Sequence, residues 1–209
     1  MYNLTMTNPA PSANLSDAEL VKLTLKDSEN FLYLMQRYEA KLLRYIRRIS
    51  NLNEDDAQDI LQEVFIKVYN NLNNFDSSLK FSSWIYRITH NSVISNFRKL
   101  KARPQKILWD DNEDFIKNIA SEFNLEKEID GKLDREIILQ ILDKLDFKYK
   151  EVLELKFLED KTYNEISDIL KKPAGSVATL IHRAKKEFSK KFPPEADQPL
   201  AEKENNLEI

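Results

Sequence analysis

Apolar residues recur at steps of three and four along most of this chain, the period of amphipathic helices. Residues 1–15 lack that period, carry Asn, Thr, Ser and two prolines, and are expected to form a flexible leader. Ser16-Asp17-Ala18-Glu19 has the form of a capping box and opens a first helix, with Leu20, Leu23 and Leu25 as its apolar face. A second helix is predicted over 29–49, where Phe31, Leu34, Met35, Tyr38, Leu42, Tyr45, Ile46 and Ile49 share one stripe. The acids Glu54, Asp55 and Asp56 mark the first turn of a third helix, to about 72, which buries Ile60, Leu61, Val64, Phe65, Val68 and Leu72. Its other face carries Asp59, Gln62, Glu63, Ile66, Lys67 and Asn70. Ile66 is thus expected to stand exposed among polar groups, either as a stray residue of a solvated face or as part of a docking surface.

A fourth helix is predicted from Ser82 to Ala102, with Trp84, Ile85, Ile88, Val93, Ile94, Phe97 and Leu100 on its apolar side and Pro104 beyond its end. It closes in a basic run, Arg98, Lys99, Lys101, Arg103 and Lys106. From Asp110 to Glu136 the sign reverses, ten acids against four bases, and this stretch is expected to be an acidic interdomain linker. Trp109, Phe115, Ile116, Ile119 and Phe123 are spaced along it as on a helix.

Beyond the linker the pattern is again helical. Ile137, Ile138, Ile141, Leu142 and Leu145 form one helix, and Val152, Leu153, Leu155 and Phe157 belong to the next. Thr162-Tyr163-Asn164-Glu165 is a second capping box, opening a short helix with Tyr163, Ile166, Ile169 and Leu170 inward. That helix stops at Lys171-Lys172-Pro173-Ala174-Gly175, and another starts near Ser176 with Val177, Ile181, Ala184 and Phe188 inward. Ser176, Thr179, His182, Arg183, Lys186 and Lys190 fall outward, in a stretch with seven bases against one acid. Two helices joined this way form a helix-turn-helix, which lays its second helix in the major groove. A plain helical hairpin with a solvated basic face is the alternative.

Composition narrows the chemistry. The chain of 209 residues has no cysteine, so disulfides, Cys-ligated zinc, iron–sulfur clusters and thiol nucleophiles are excluded. Gly131 and Gly175 are too far apart for a glycine-rich phosphate loop, and His90 and His182 for an H-E-x-x-H zinc site. No metal, cofactor or catalytic constellation is expected. The net charge of −3 argues weakly against nucleic acid as a whole-chain average, but the charge is segregated, so the average misleads. No signal segment or apolar run long enough for a membrane span stands in the sequence, which reads as soluble and cytoplasmic.

The order of these features resembles an RNA polymerase sigma factor of the extracytoplasmic-function group, over residues 16–192. Asp59-Ile60-Leu61-Gln62-Glu63-Val64-Phe65 matches the family's D-x-x-Q-D/E-V-F helix. By that resemblance Asp59, Gln62, Glu63 and Ile66 would bind the clamp helices of core RNA polymerase. Phe81 to Asn91 is similar to the family's F-x-x-W-L-x-R-I-x-x-N segment, which captures the melted strand of the −10 element. The resemblance supplies Phe75, Phe81 and Tyr86 as stacking rings, Asn91 as a base-edge amide, and Arg87, Arg98, Lys99 and Lys101 as further DNA contacts. Trp84 reads as core and His90 as a surface residue.

In region 4, Leu153 to Ile166 resembles the family's run at the expected place of the helix-turn-helix, and Lys172, Ser176, Thr179, His182, Arg183 and Lys186 would then read the −35 element. The recognition stretch departs from the family's pattern at Ala178 and Leu180, where a lysine and an arginine are usual. The resemblance implies an all-α chain in two small helical domains. Region 2 would span 16–106, the linker 107–133, region 4 134–192 and a disordered tail 193–209. The linker would run towards the RNA exit path. The implied partners are core RNA polymerase, promoter DNA and an anti-sigma factor, without membrane insertion. Two rivals remain: a stand-alone helix-turn-helix regulator, and an enzyme using Glu54, Asp55, Asp56, Asp59 and Glu63 as a carboxylate cluster.

Overall fold

The computed structural model describes residues 15–100, 140–142 and 144–191, with the side chains of 99 and 100 excepted. These residues form helices and turns, with no strand among them, as the apolar period predicts. The expectations for the leader, the linker, the tail, Ile137 and Ile138 concern segments outside the described residues. Contacts divide the chain into two compact units, Met1–Asp110 with Glu165–Lys172, and Asp111–Asn164 with Pro173–Ile209.

The first unit is built on α1 (Asp17–Lys26), α2 (Phe31–Ser50), α3 (Glu54–Asn71) and α4 (Phe81–Leu100). Their ends are set locally. The Ser16 hydroxyl accepts from the Glu19 amide at 3.3 Å while Glu19 accepts from the Ser16 amide at 2.7 Å. The Ser16 hydroxyl also donates to the Glu19 carboxylate at 2.7 Å, and this bond, followed by that from the Ser16 amide, holds the Glu19 carboxyl below its ordinary value by favouring its charged form. α2 ends where Asn51 takes a left-handed conformation, φ 58°, one that asparagine tolerates better than most residues. Two residues later Asn53 caps α3, its Oδ1 accepting from the Asp56 amide at 2.8 Å.

α2, α3 and α4 pack on one another and α1 packs on α2. Leu34, Leu42, Tyr45 and Ile46 meet Ile60, Val64, Val68, Ile85, Tyr86 and Val93 in a core where none is more than 1% exposed. Truncating such a leucine to alanine costs about 2–5 kcal/mol, since both transfer energy and packing are lost. On α1 the sequence reading needs correction. Leu20, Val21 and Thr24 face inward, while Leu25 is 48% exposed. Thr24 tolerates burial because its hydroxyl donates to the Leu20 carbonyl at 2.8 Å.

The second unit buries Ile141, Leu142 and Leu145 beside α5 (Phe147–Leu153). α5 continues into a wider turn, Glu154–Leu158, closed by the Glu159 amide donating to the Glu154 carbonyl at 3.2 Å. α6 (Tyr163–Leu170), whose residues from Glu165 onward group with the first unit, buries Ile166, Ile169 and Leu170. Tyr163, expected inward, is 40% exposed: as the first residue of its helix it has no preceding turn to cover it. Lys156 places its ammonium 5.7 Å from the centre of that ring. α6 ends at Lys171 in a left-handed conformation, φ 53°, and the Ser167 hydroxyl donates to the Lys172 carbonyl at 2.5 Å.

α7 (Ala174–Lys191) starts two residues before the expected Ser176. The Pro173 carbonyl accepts from the amides of Ser176 and Val177, so Ala174 and Gly175 already form the first turn. Val177, Ile181, Ala184 and Phe188 are buried as their spacing predicts, and α7 packs on α5.

Candidate protein and nucleic-acid interfaces

The polar side of α3 is one stripe, because Asp59, Gln62, Glu63 and Ile66 follow one another at steps of three, one and three. Asp59 and Gln62 are exposed, Glu63 is partly exposed, and Ile66 stands 61% exposed one turn beyond Gln62 and Glu63. Burial of α3's other face against α2 and α4 fixes this orientation, and the exposure of Ile66 follows from it. Tyr69, 45% exposed, extends the apolar part of the surface by nearly one turn.

Around the edge of α3 the surface becomes a cleft of about 460 Å³, lined by Lys67, Asn71, Asn74, Trp84, Ile88, Asn91, Ser92 and Ser95. Its walls combine an indole, an isoleucine, three amides and two hydroxyls. That mixture suits a flat, polar-edged ring: apolar walls take the faces and the amides meet the edge. Lys67 donates to the Ser92 hydroxyl at 2.9 Å and pairs with Glu63 at 2.7 Å.

Of the residues expected at a −10 strand, Asn91 lines this cleft, while Phe75 and Arg87 are partly exposed and Arg98 is exposed. Phe81 and Tyr86 must be corrected: they are 3% and 1% exposed and belong to the core. Phe81 meets Tyr38, Phe75 and Trp84 at centroid distances of 5.4–5.6 Å, and Tyr86 meets Tyr45 at 5.2 Å, so neither ring has a face for a base. Trp84 is core as expected, 8% exposed, yet also contributes to the cleft wall. His90, expected at the surface, is buried at 9% exposure because it lies on the packed side of α4. The side chain of Lys99, and Lys101, lie outside the described residues.

Sequence reasoning missed Lys67, Asn71, Asn74, Ser92 and Ser95 as a group. Their signal was present as polar residues at helical steps along the end of α3, the turn after it and the second half of α4. Only the α3–α4 packing shows that the two rows face one space.

α7 presents Ser176, Thr179, His182, Arg183 and Lys186 to solvent on the side opposite its buried row. Lys172, just before that helix, is partly buried. The Thr179 hydroxyl donates to the Gly175 carbonyl at 2.9 Å, so its proton is committed to the helix. Lys190 pairs with Glu187 at 2.7 Å, which holds the Glu187 carboxyl below its ordinary value. Lys185 lies 5.6 Å from the centre of the Phe157 ring, a contact within the second unit.

The family model described as sigma-70 region 2 matches residues 34–103, and that for sigma-70 region 4 matches 135–188. The chain is 31% identical over 170 residues to the ECF RNA polymerase sigma factor SigW of Bacillus subtilis, covering 79% of this chain and 90% of that one. It is 29% identical over 191 residues to the ECF RNA polymerase sigma-E factor of Escherichia coli K12, covering 88% and 97%. Among solved structures, CnrH in complex with the cytosolic domain of CnrY aligns with a TM-score of 0.61 at 22% identity, covering 87% of this chain and 99% of CnrH. The sigma factor RpoE with the anti-sigma factor NepR, from Bartonella quintana, aligns with a TM-score of 0.58 at 16% identity, covering 81% and 99%. Among the described residues no helix is long and apolar enough to cross a membrane.

Proposed function

The chain belongs to the extracytoplasmic-function group of the sigma-70 family of RNA polymerase sigma factors, and from this we propose how its surfaces divide the work of promoter recognition. Sigma factors are transcription initiation factors rather than enzymes, and direct core polymerase to promoters. In this chain the α3 stripe of Asp59, Gln62, Glu63 and Ile66 binds the polymerase. The α3–α4 cleft, with Asn91 at its wall and Arg87 and Arg98 on the same helix, takes a base from the melted −10 strand. The outward row of α7, with Lys172 before it, reads the −35 duplex.

The observation that carries this reading is Ile66, an isoleucine 61% exposed one turn from Gln62 and Glu63 on one side and Tyr69 and Asn70 on the other. A solvated helix gains nothing from it, whereas an interface places apolar groups inside polar rims. A base flipped into the cleft would exchange stacking on its neighbours for contact with Trp84 and Ile88. On α7, Arg183 and Lys186 supply phosphate or base-edge contacts, and Ser176, Thr179 and His182 supply polar edges. Ala178 and Leu180 offer no charge, so Lys172, Arg183 and Lys186 carry more of the affinity. An anti-sigma factor is a further protein partner, a reading supported by the RpoE–NepR complex.

Co-elution with cognate core RNA polymerase on gel filtration tests the reading. The wild type is expected to co-elute, and joint reversal of Asp59→Lys and Glu63→Lys to abolish co-elution with an unchanged circular dichroism spectrum. Co-elution that survives the reversal removes the α3 assignment. A wild type that ignores cognate core leaves the stand-alone helix-turn-helix regulator.

A further inference from the structure

Lys67 belongs to both proposed surfaces at once. Its ammonium reaches one turn back along α3 to Glu63 at 2.7 Å and across to Ser92 of α4 at 2.9 Å. Glu63 is part of the α3 stripe, and Ser92 is part of the cleft wall. The side chains of Lys67 and Glu63 are 41% and 46% exposed, so the pair is half in water and a competing ion can displace either partner. Ser92 differs in kind: its hydroxyl accepts a hydrogen bond without cancelling charge, and it anchors the ammonium at the cleft rather than out in solvent.

We propose that Lys67 is a further DNA-binding residue, contacting a phosphodiester of the strand seated at the cleft, and that Glu63 masks it until a cation of the polymerase takes the carboxylate. The proposal rests on the reading that the α3 stripe meets polymerase and the cleft meets single-stranded DNA. The physics is an exchange of ion pairs. In the free chain a carboxylate 2.7 Å from the ammonium cancels much of its attraction for an approaching phosphate, and repels that phosphate itself. Once a partner's guanidinium or ammonium pairs with Glu63, that repulsion is neutralised and Lys67, still held by Ser92, faces the cleft with its charge available. Binding of polymerase and capture of the strand are thereby coupled through one side chain, and by linkage each strengthens the other.

The test uses the full chain without polymerase and short fluorescein-labelled single-stranded DNA of random sequence, read by anisotropy at low salt. Glu63→Gln is expected to tighten binding about two- to threefold, the scale of a half-exposed pair one turn apart. The salt dependence should steepen by about 0.7 in logarithmic slope, one added phosphate contact on a single strand. In a Lys67→Met background the same change should give no gain. Asp59→Asn, which removes an equal charge from the same stripe, should give much less. A gain that persists without Lys67, a gain matched by Asp59→Asn, or no gain at all overturns the proposal, circular dichroism having shown that the variants are folded. Gel filtration with cognate core separates the two failures: co-elution that survives the joint Asp59→Lys and Glu63→Lys reversal sinks the assignment of the stripe, whereas co-elution of the wild type that the reversal abolishes, with any overturning result above, sinks only the coupling.

Discussion

The Tyr38 phenol donates to one oxygen of Asp17 at 2.5 Å while Arg37 holds the other at 2.8 Å. This pins the first turn of α1 to α2 through adjacent residues of one helix. Burial, followed by the Asp17 bond, pushes the Tyr38 hydroxyl up, so it stays protonated at any physiological pH and remains a donor. Arg37 also donates to the Leu15 carbonyl at 2.7 Å, extending the clasp to the residue before the cap.

Tyr38→Phe is accordingly expected to cost about 1–2 kcal/mol, a hydrogen bond to a charged acceptor discounted for partial exposure. Asp17→Ala should cost more, because both donors lose their acceptor. Urea unfolding checks both, and a double variant less destabilised than the sum of the singles would show that the two residues act through one bond.

The cap of α1 should make stability depend on pH in a defined direction. The Glu19 carboxyl is held below its ordinary value of 4.5, chiefly by the Ser16 side chain. A depressed carboxylate stabilises the fold above its unfolded pKa, and that contribution disappears as pH falls through the folded value. Ser16→Ala should therefore lower the urea midpoint at neutral pH, with the gap from wild type narrowing as the pH drops below 4.5. A gap that widens on acidification would contradict this sign.

Filling the cleft should separate the two DNA activities. Ser95 is exposed on the cleft wall, so Ser95→Leu can occupy the space without disturbing the core. We expect weaker binding of holoenzyme to single-stranded −10 DNA by about tenfold, the order of one lost base contact of about 1–3 kcal/mol. Binding of −35 duplex should not change, and equal loss of both would mean that the cleft is not the base site.

Arg183→Ala with Lys186→Ala should act the other way, weakening −35 duplex binding and sparing the single strand. Each phosphate contact removed lowers the magnitude of the logarithmic salt slope by about 0.9. If either arginine or lysine reads a base edge instead, its loss should relax sequence preference by about 1–3 kcal/mol at that position.

Gly175 lies in the first turn of α7, where an added Cβ would meet nothing within 4 Å. Gly175→Ala should raise stability by about 0.4–1 kcal/mol, since alanine loses less backbone freedom on folding. A thermal melt checks this, and a lower midpoint would mean that the glycine is needed for a conformation other than the helical one.

The sequence by itself determined the main helices of the described residues, the Ser16 capping box and the buried rows of α2, α3 and α7, because these depend on spacing along one chain. Asp59, Gln62, Glu63 and Ile66 could be placed on one outward stripe, and Ser176 to Lys186 on another, from the 100° step alone. That step leaves open which way a helix with apolar groups on two sides turns. Phe81 and Tyr86 looked like rings for stacking, but α2 brings Tyr38 and Tyr45 against them and buries both. Likewise, the register of α1 turned on Thr24 satisfying its hydroxyl on the Leu20 carbonyl, which let it replace a leucine in the buried row. The cleft was legible only after folding, because Lys67 and Ser92 stand twenty-five positions apart and become neighbours solely through the packing of α3 on α4.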